Sequence, residues 1–299
     1  AMKTRDTNVV VFTEDKVLKV LSNKDAVFNA DGNAQLTATN KVLGQAVPFA
    51  GDYGISKNPE SLAWDSYRMY FTDKQRGAVL RLSGDGLTPI SDVGMRTYFR
   101  ENLKQNDTLL GTFDSVNNEY NVTLAPNPKY ANSSPITASF NEASKGWISF
   151  KSFIPLTGVS VSGKYFTANG YKIYEHYSSA VNRNYFYGQQ YESEVEVLFN
   201  DMPSSIKSFK AVNYEGSQSK VTQFTTSSTT DAAGNTITAN DDEYYNLTAK
   251  EGWYVDSFNT DLQQGKISEF INKEGKWFNK INGIATTTNN LDSSEFLTS

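Results

Sequence analysis

Met69-Tyr70-Phe71-Thr72-Asp73, a polar turn, and then Ala78-Val79-Leu80-Arg81-Leu82 read as two strand-length apolar runs folded back on one another. The same signature, an apolar or aromatic run ending in Phe-Thr, a turn and a second apolar stretch, recurs along the first two-thirds of the chain. Val9-Val10-Val11-Phe12-Thr13 precedes Val17-Leu18-Lys19-Val20-Leu21, and Tyr165-Phe166-Thr167 precedes Tyr171-Lys172-Ile173-Tyr174. A looser copy, Gly111-Thr112-Phe113-Asp114, leads through Ser115-Val116-Asn117-Asn118 into Tyr120-Asn121-Val122-Thr123-Leu124. Each copy predicts an antiparallel hairpin, and Phe12, Phe71, Phe113 and Phe166 are expected to face a common interior. Their spacing, roughly 40 to 60 residues, suits propeller blades with insertions better than short solenoid turns. The predicted class is therefore mainly β, with repeated antiparallel hairpins in a propeller-like arrangement. Tandem β-sandwich modules are the alternative, because the signature weakens after residue 180 and four hairpins do not establish a closed ring.

Composition points the same way. With 17 Tyr and 18 Phe among 299 residues, the chain is rich in side chains that suit half-buried pleated surfaces. It is long enough to bury a core without covalent staples. The absence of cysteine excludes disulfides and thiolate chemistry, and a single histidine, His176, excludes sites built on two. A formal charge of -5 without a basic cluster gives no footprint for nucleic acid. No apolar run approaches the ~20 residues needed to span a bilayer, and Ala1-Met2-Lys3-Thr4-Arg5-Asp6 is no signal region. The expectation is a soluble chain, not inserted in membranes and not exported by the general route. The Ala ahead of Met2 and the polar ending 289–294 suggest a piece of a longer polypeptide.

The domain reading is 1–124 as propeller-like hairpin modules, 125–139 as a connecting loop with Pro126, Pro128 and Pro135, 140–283 as aromatic-rich β modules, and 284–299 as a polar extension. Two helices are expected. One starts near Ser91 and runs to Leu103 with Met95, Phe99 and Leu103 on one face; the other is Lys266–Glu274, ended by Gly275. Gly234-Asn235 is read as the tip of a long hairpin within 224–241. Gly54-Ile55-Ser56-Lys57-Asn58-Pro59-Glu60-Ser61 is read as an ordered loop holding one blade against the next, Pro59 restricting Asn58 and Gly54 free to take positive φ. Trp147 and Trp253, each after a glycine, are expected to start strands and enter the core.

Candidate chemistry is sparse. His176 lies in a tyrosine-rich strand, where packing explains it better than catalysis. Carboxylate pairs for glycoside hydrolysis are defined by separation in space, so Asp241, Asp242, Glu243, Glu192, Glu194 and Glu196 are the acids to inspect. The last three alternate with Ser193, Val195 and Val197 as a solvated strand face would. Asp31-Gly32-Asn33 and Asp85-Gly86 are turn signals, too poor in oxygen ligands for calcium. Tyr185-Phe186-Tyr187-Gly188-Gln189-Gln190-Tyr191 is the best sugar platform, with Tyr185, Phe186, Tyr187, Gln189, Gln190 and Tyr191 as candidate glycan or partner contacts. The competing explanation is an aromatic strand and turn buried between modules.

The stretch 54–61, followed by Tyr67-Arg68-Met69-Tyr70-Phe71-Thr72-Asp73-Lys74-Gln75-Arg76-Gly77-Ala78-Val79-Leu80-Arg81-Leu82-Ser83-Gly84-Asp85-Gly86-Leu87, closely resembles large virion structural proteins of tailed bacteriophages, those of marine, cyanobacterial and crAss-like phages among them. Residues 146–155, 206–217 and 273–279 resemble further blocks of the same proteins. The resemblance implies a building block of a tail, baseplate or tail-tip apparatus, cut from a longer chain. It implies assembly in the host cytoplasm into the virion and contact with other virion proteins in a symmetric oligomer, with a host surface glycan as candidate ligand. It carries no catalytic residue, cofactor or metal, so the chain is not expected to be an enzyme.

Overall fold

The computed structural model describes residues 1–28, 34–126, 134–205, 207, 209–239, 244–260 and 264–281. The chain divides into two compact units, Ala1–Glu196 and Val197–Ser299. The first is a series of antiparallel meanders. Strands β1 (Met2–Arg5), β2 (Asn8–Phe12), β3 (Val17–Phe28) and β4 (Ala34–Pro48) form the first sheet. The second holds β5 (Ala63–Trp64), β6 (Met69–Asp73), β7 (Ala78–Ser83) and β8 (Gly86–Pro89). Helix α1 (Arg96–Gln105) leads to the third, made of β9 (Asn106–Asp114), β10 (Glu119–Pro126), β11 (Ile136–Asn141) and β12 (Gly146–Lys151). The fourth has three strands, β13 (Thr157–Val161), β14 (Lys164–Asn169) and β15 (Lys172–Glu175), and a small hairpin, β16 (Tyr185–Phe186) with β17 (Gln189–Gln190), follows.

The apolar runs are continuous because the second sheet is covered on both faces, as strands buried on both sides require. Met69, Phe71, Ala78, Leu80 and Leu82 pack with Val10, Phe12 and Val17 of the first sheet. Tyr70 and Val79, on the opposite face, pack with Phe99 and Leu103 of α1 and with Leu109, Tyr120, Val122 and Phe140 of the third sheet. The four hairpins form with the expected pairing, but their phenylalanines do not share one interior. Phe12 and Phe71 meet edge to face, ring centroids 5.1 Å apart. Phe113 stacks on Tyr70 in the next core. Phe166 is half-buried and belongs to the face of its sheet opposite buried Tyr165 and Thr167. The fold is mainly β, and among the described residues the sheets do not close into a ring.

One loop ties three sheets together. The Asp73 carboxylate, fully buried, accepts from the Gly54 N–H, the Ser56 hydroxyl, and the backbone and guanidinium N–H groups of Arg76, all at 3.0–3.1 Å. Ile55 and Ser56 donate to the Thr13 and Glu14 carbonyls in the β2–β3 turn. The Ser61 carbonyl accepts from Tyr120, and Asn58 donates to the Asp107 carbonyl. Gly54 is required by close approach rather than by φ, since a Cβ there would lie 2.2 Å from the Glu14 carbonyl oxygen. Ser56 instead takes the positive φ, 52°.

Several expectations are corrected. The stretch 125–139 does not separate modules: β10 and β11 on either side of it are hydrogen-bonded neighbours in one sheet, and residues 127–133 lie outside the described set. The first helix starts at Arg96, with a 3-10 turn, Ile90–Asp92, ahead of it. No helix forms at Lys266–Glu274.

In the second unit, β18 (Ala211–Tyr214) is followed by the hairpin β19 (Ser227–Thr230) with β20 (Thr236–Ala239), tipped at Gly234 as expected. A second hairpin joins β21 (Val255–Asn259) to β22 (Gln264–Ile267), and β23 (Ile271–Lys273) and β24 (Lys276–Lys280) complete a sheet with β18. Glu274-Gly275, both at positive φ, form the two-residue turn of the β23–β24 hairpin, a role that suits glycine as well as helix termination does. Val221, Ile267, Phe270 and Trp277 form the core. Trp253 remains 40% exposed, whereas Trp147 packs on Phe99 and Phe140.

The Asp73→Ala variant should keep the fold but unfold about 3 kcal/mol more easily, read as a lower urea midpoint with unchanged m-value. An unchanged midpoint would remove the clamp from the account.

Candidate functional site

The third sheet has two chemically different faces. Leu109, Tyr120, Val122, Leu124, Ala138 and Phe140 face the second sheet, while Thr112, Asp114, Asn121, Thr123, Thr137 and Ser139, nearly all fully buried, lie on the other side. Burial of so many polar groups is tolerated only with partners. Tyr165 of β14 meets Thr112 at 2.8 Å, Ser139 donates to Asn121 at 2.5 Å, and Thr137 meets Thr123 and donates to the Phe153 carbonyl. Burial pushes the Tyr165 phenol well above its ordinary pKa of 10, so it remains protonated.

At the edge of this polar layer lies a cavity of about 250 Å³ lined by Ser149–Phe153, His176, Tyr177, Asn184, Phe186 and Glu192–Glu194. Phe153 forms its aromatic floor, with His176 4.8 Å and Phe186 5.2 Å away between ring centroids. Lys151 is ion-paired with buried Glu119, and Tyr177 donates to Asp114 at 2.5 Å. Asn184 donates to Ser193. Glu192 and Glu194 are exposed at the wall. Residues 191–200 form no strand, so the alternating-face reading of Glu192, Glu194 and Glu196 is corrected to an irregular segment. Asp241, Asp242 and Glu243, like Asp31-Gly32-Asn33, lie outside the described residues.

His176 is buried, its Nε2 2.7 Å from the Thr167 hydroxyl, which is also 2.8 Å from the Tyr187 hydroxyl. A chain in which Tyr187 donates to Thr167 and Thr167 to Nε2 leaves the ring proton on Nδ1. Desolvation lowers the His176 pKa from 6.5 to about 4; Asp114 opposes the shift and Lys151 adds to it. The ring is neutral at pH 7. Thr167 is 1% exposed, so this hydroxyl–imidazole pair presents no nucleophile to the cavity.

The six candidate aromatic and amide residues do not share one face. Their hairpin turns at Tyr187-Gly188, both at positive φ, and the pleat separates neighbours. Phe186 lines the cavity, Tyr187 turns to Thr167 and Tyr174, and Tyr185, Gln189 and Gln190 are exposed. Tyr191 packs on Phe186 and donates to Gln189. Sequence reasoning missed Phe153, Lys151 and Asn184 as site residues; the first two lie in one stretch at the end of β12 and the third lies some thirty residues further on. A second cleft, about 430 Å³, is lined by Arg76, Arg96 and Arg100 with Asp52 and Asp92. Arg76 is held by Asp73, and Arg96 lies 3.7 Å from Asp92.

Residues 181–283 match the Crassvirus muzzle protein C-terminal domain family. The match supports a crassvirus virion protein and does not extend to the marine and cyanobacterial phages of the wider resemblance. No curated protein matches the chain. Among the described residues no helix is long and apolar enough to cross a membrane.

Because the folded state binds the His176 proton only near pH 4 whereas the unfolded chain binds it near 6.5, stability should fall as pH drops through that window and level off below it. The only histidine of the chain gives one imidazole signal by NMR. It should titrate near pH 4, and His176→Gln should flatten the contribution to the urea midpoint between pH 6.5 and 4; a titration near 6.5 would contradict the buried neutral ring.

Proposed function

We propose that the chain is a structural component of a tailed-phage virion, in its tail, baseplate or tail-tip apparatus, and that it acts through protein–protein assembly. The match of residues 181–283 to a muzzle protein domain carries this reading. The stacked sheets of the first unit suit it: antiparallel meanders, three of four strands and one of three, placed face to face in chain order have the up-and-down strand order of propeller blades. In this reading they form a sector of a propeller-like wall. Immunogold labelling of intact particles with antibody against this chain should decorate one fixed position on each virion. Labelling of unassembled lysate alone, with bare particles, would overturn the reading.

A second reading, an adhesion module for a host surface glycan, is favoured by the cavity beside His176. An aromatic floor bordered by an ammonium, an amide and two carboxylates can stack on a pyranose face and pair with its hydroxyls. In both readings the chain is not an enzyme. Purified protein should release no reducing sugar from polysaccharide or peptidoglycan, and a glycan-array signal, where one is found, should be lost in Phe186→Ala. Turnover abolished by Glu192→Gln or Glu194→Gln would favour an enzyme instead.

A further inference from the structure

The first sheet carries apolar side chains on both faces, and among the described residues only one of these faces packs on a neighbouring sheet. Val10, Phe12 and Val17 pack on the second sheet. On the opposite side, the cross-strand row Met2, Val11, Leu18 and Pro48 runs beside Thr4, Val9, Val20 and Ala46, and none of these eight residues is charged. Met2 is 73% exposed. An antiparallel sheet with one solvated face normally alternates apolar and polar residues; Val9-Val10-Val11 does not.

The last sheet of the series has the matching property. Tyr165 and Thr167 face the third sheet, while Val159, Val161 and Ile173, each more than half exposed, share the outer face with Phe166. The two charges on that face, Lys164 and Glu175, neutralise one another at 2.8 Å. It could therefore be covered without burying an unpaired charge.

We propose that the outer face of the first sheet docks on the outer face of the fourth sheet of a second copy of this chain, head to tail. Within the unit, first lies on second, second on third and third on fourth; the same step taken once more brings the first sheet of the next copy onto the fourth. The contact is heterologous, so repetition builds a ring or a filament. Some eight side chains a side cover on the order of 1,000 Å² in total, the lower end of specific interfaces. Such a contact fills at the high local concentrations of a particle. The inference rests on the assembly reading but is tested apart from it, on purified protein.

Sedimentation velocity up to about 1 mM, where an interface of this size is populated, should show wild type growing into oligomers. Val11→Lys alone and Ile173→Lys alone should each stay monomeric, since every contact needs both faces. An equimolar mixture of the two should give one 1:1 dimer and nothing larger. Far-UV circular dichroism and melting curves confirm folding; Pro48→Lys and Val161→Lys replace either variant that fails. A monomeric wild type, continued association of either variant alone, or an inert mixture would each overturn the proposal, whereas bare particles under immunogold would overturn only the virion reading.

Discussion

The arrangement of the first three sheets depends on one buried carboxylate. Asp73 has no exposure and four donors, which fill the acceptor sites a carboxylate offers. Burying the charge without them would cost several kcal/mol, so the Gly54–Ser61 loop has one position relative to β6. Through that loop the β2–β3 turn, the second sheet and Tyr120 of the third are held in one register. The apolar cores on either side of the second sheet supply more stabilisation, but hydrophobic burial has no direction. The clamp decides which of many similar sheet stackings is formed.

The contact between the third and fourth sheets uses different physics. Its buried row of Thr, Asn and Ser contributes roughly 1 kcal/mol net per hydrogen bond, so its value lies in specificity, because any slip of β14 against the sheet strands several polar groups at once. The rim of the preceding contact follows the same logic. Glu142 accepts from Tyr70 at 2.7 Å and from Arg81 at 3.0 Å, and Arg68 lies 3.4 Å away. Burial, then the hydrogen bond to Glu142, raises the Tyr70 pKa far above 10, keeping the phenol a donor at all physiological pH.

The hairpins were legible because unbroken apolar runs such as Met69-Tyr70-Phe71 and Val9-Val10-Val11 flank short polar turns, and in the second sheet that character reflects cover on both faces. What they could not announce is which face meets which neighbour, so four phenylalanines in equivalent positions reach different surroundings. Within the stretch expected to be helical, Ile267 and Phe270 are both buried. Their three-residue spacing fits a helix turn as well as a strand end followed by a bend, and only the pairing of β23 with β24 separates the two. The cavity was half-legible. The aromatic run read as a sugar platform, with a strand and turn as the competing explanation, forms the hairpin that carries Phe186, but the pleat sends its neighbours elsewhere, and the residues that complete the wall come from β12 and from the segment after β15.

The matched span and the compact units do not share a border. The match begins at residue 181, whereas the first unit continues to Glu196. Residues 181–196 therefore belong to both, and they contribute Asn184, Phe186 and Glu192–Glu194 to a cavity whose remaining wall, Ser149–Phe153 with His176 and Tyr177, lies outside the match. Phe186 on Phe153 and Tyr187 on Thr167 anchor the beginning of the matched span to the end of the sheet series. Within the first unit, aromatic contacts and a short hydroxyl chain therefore tie Phe186 and Tyr187 to the residues around the fourth sheet. The polar layer behind His176 resists the slip that a purely apolar contact would permit, because displacement would leave several buried polar groups without partners.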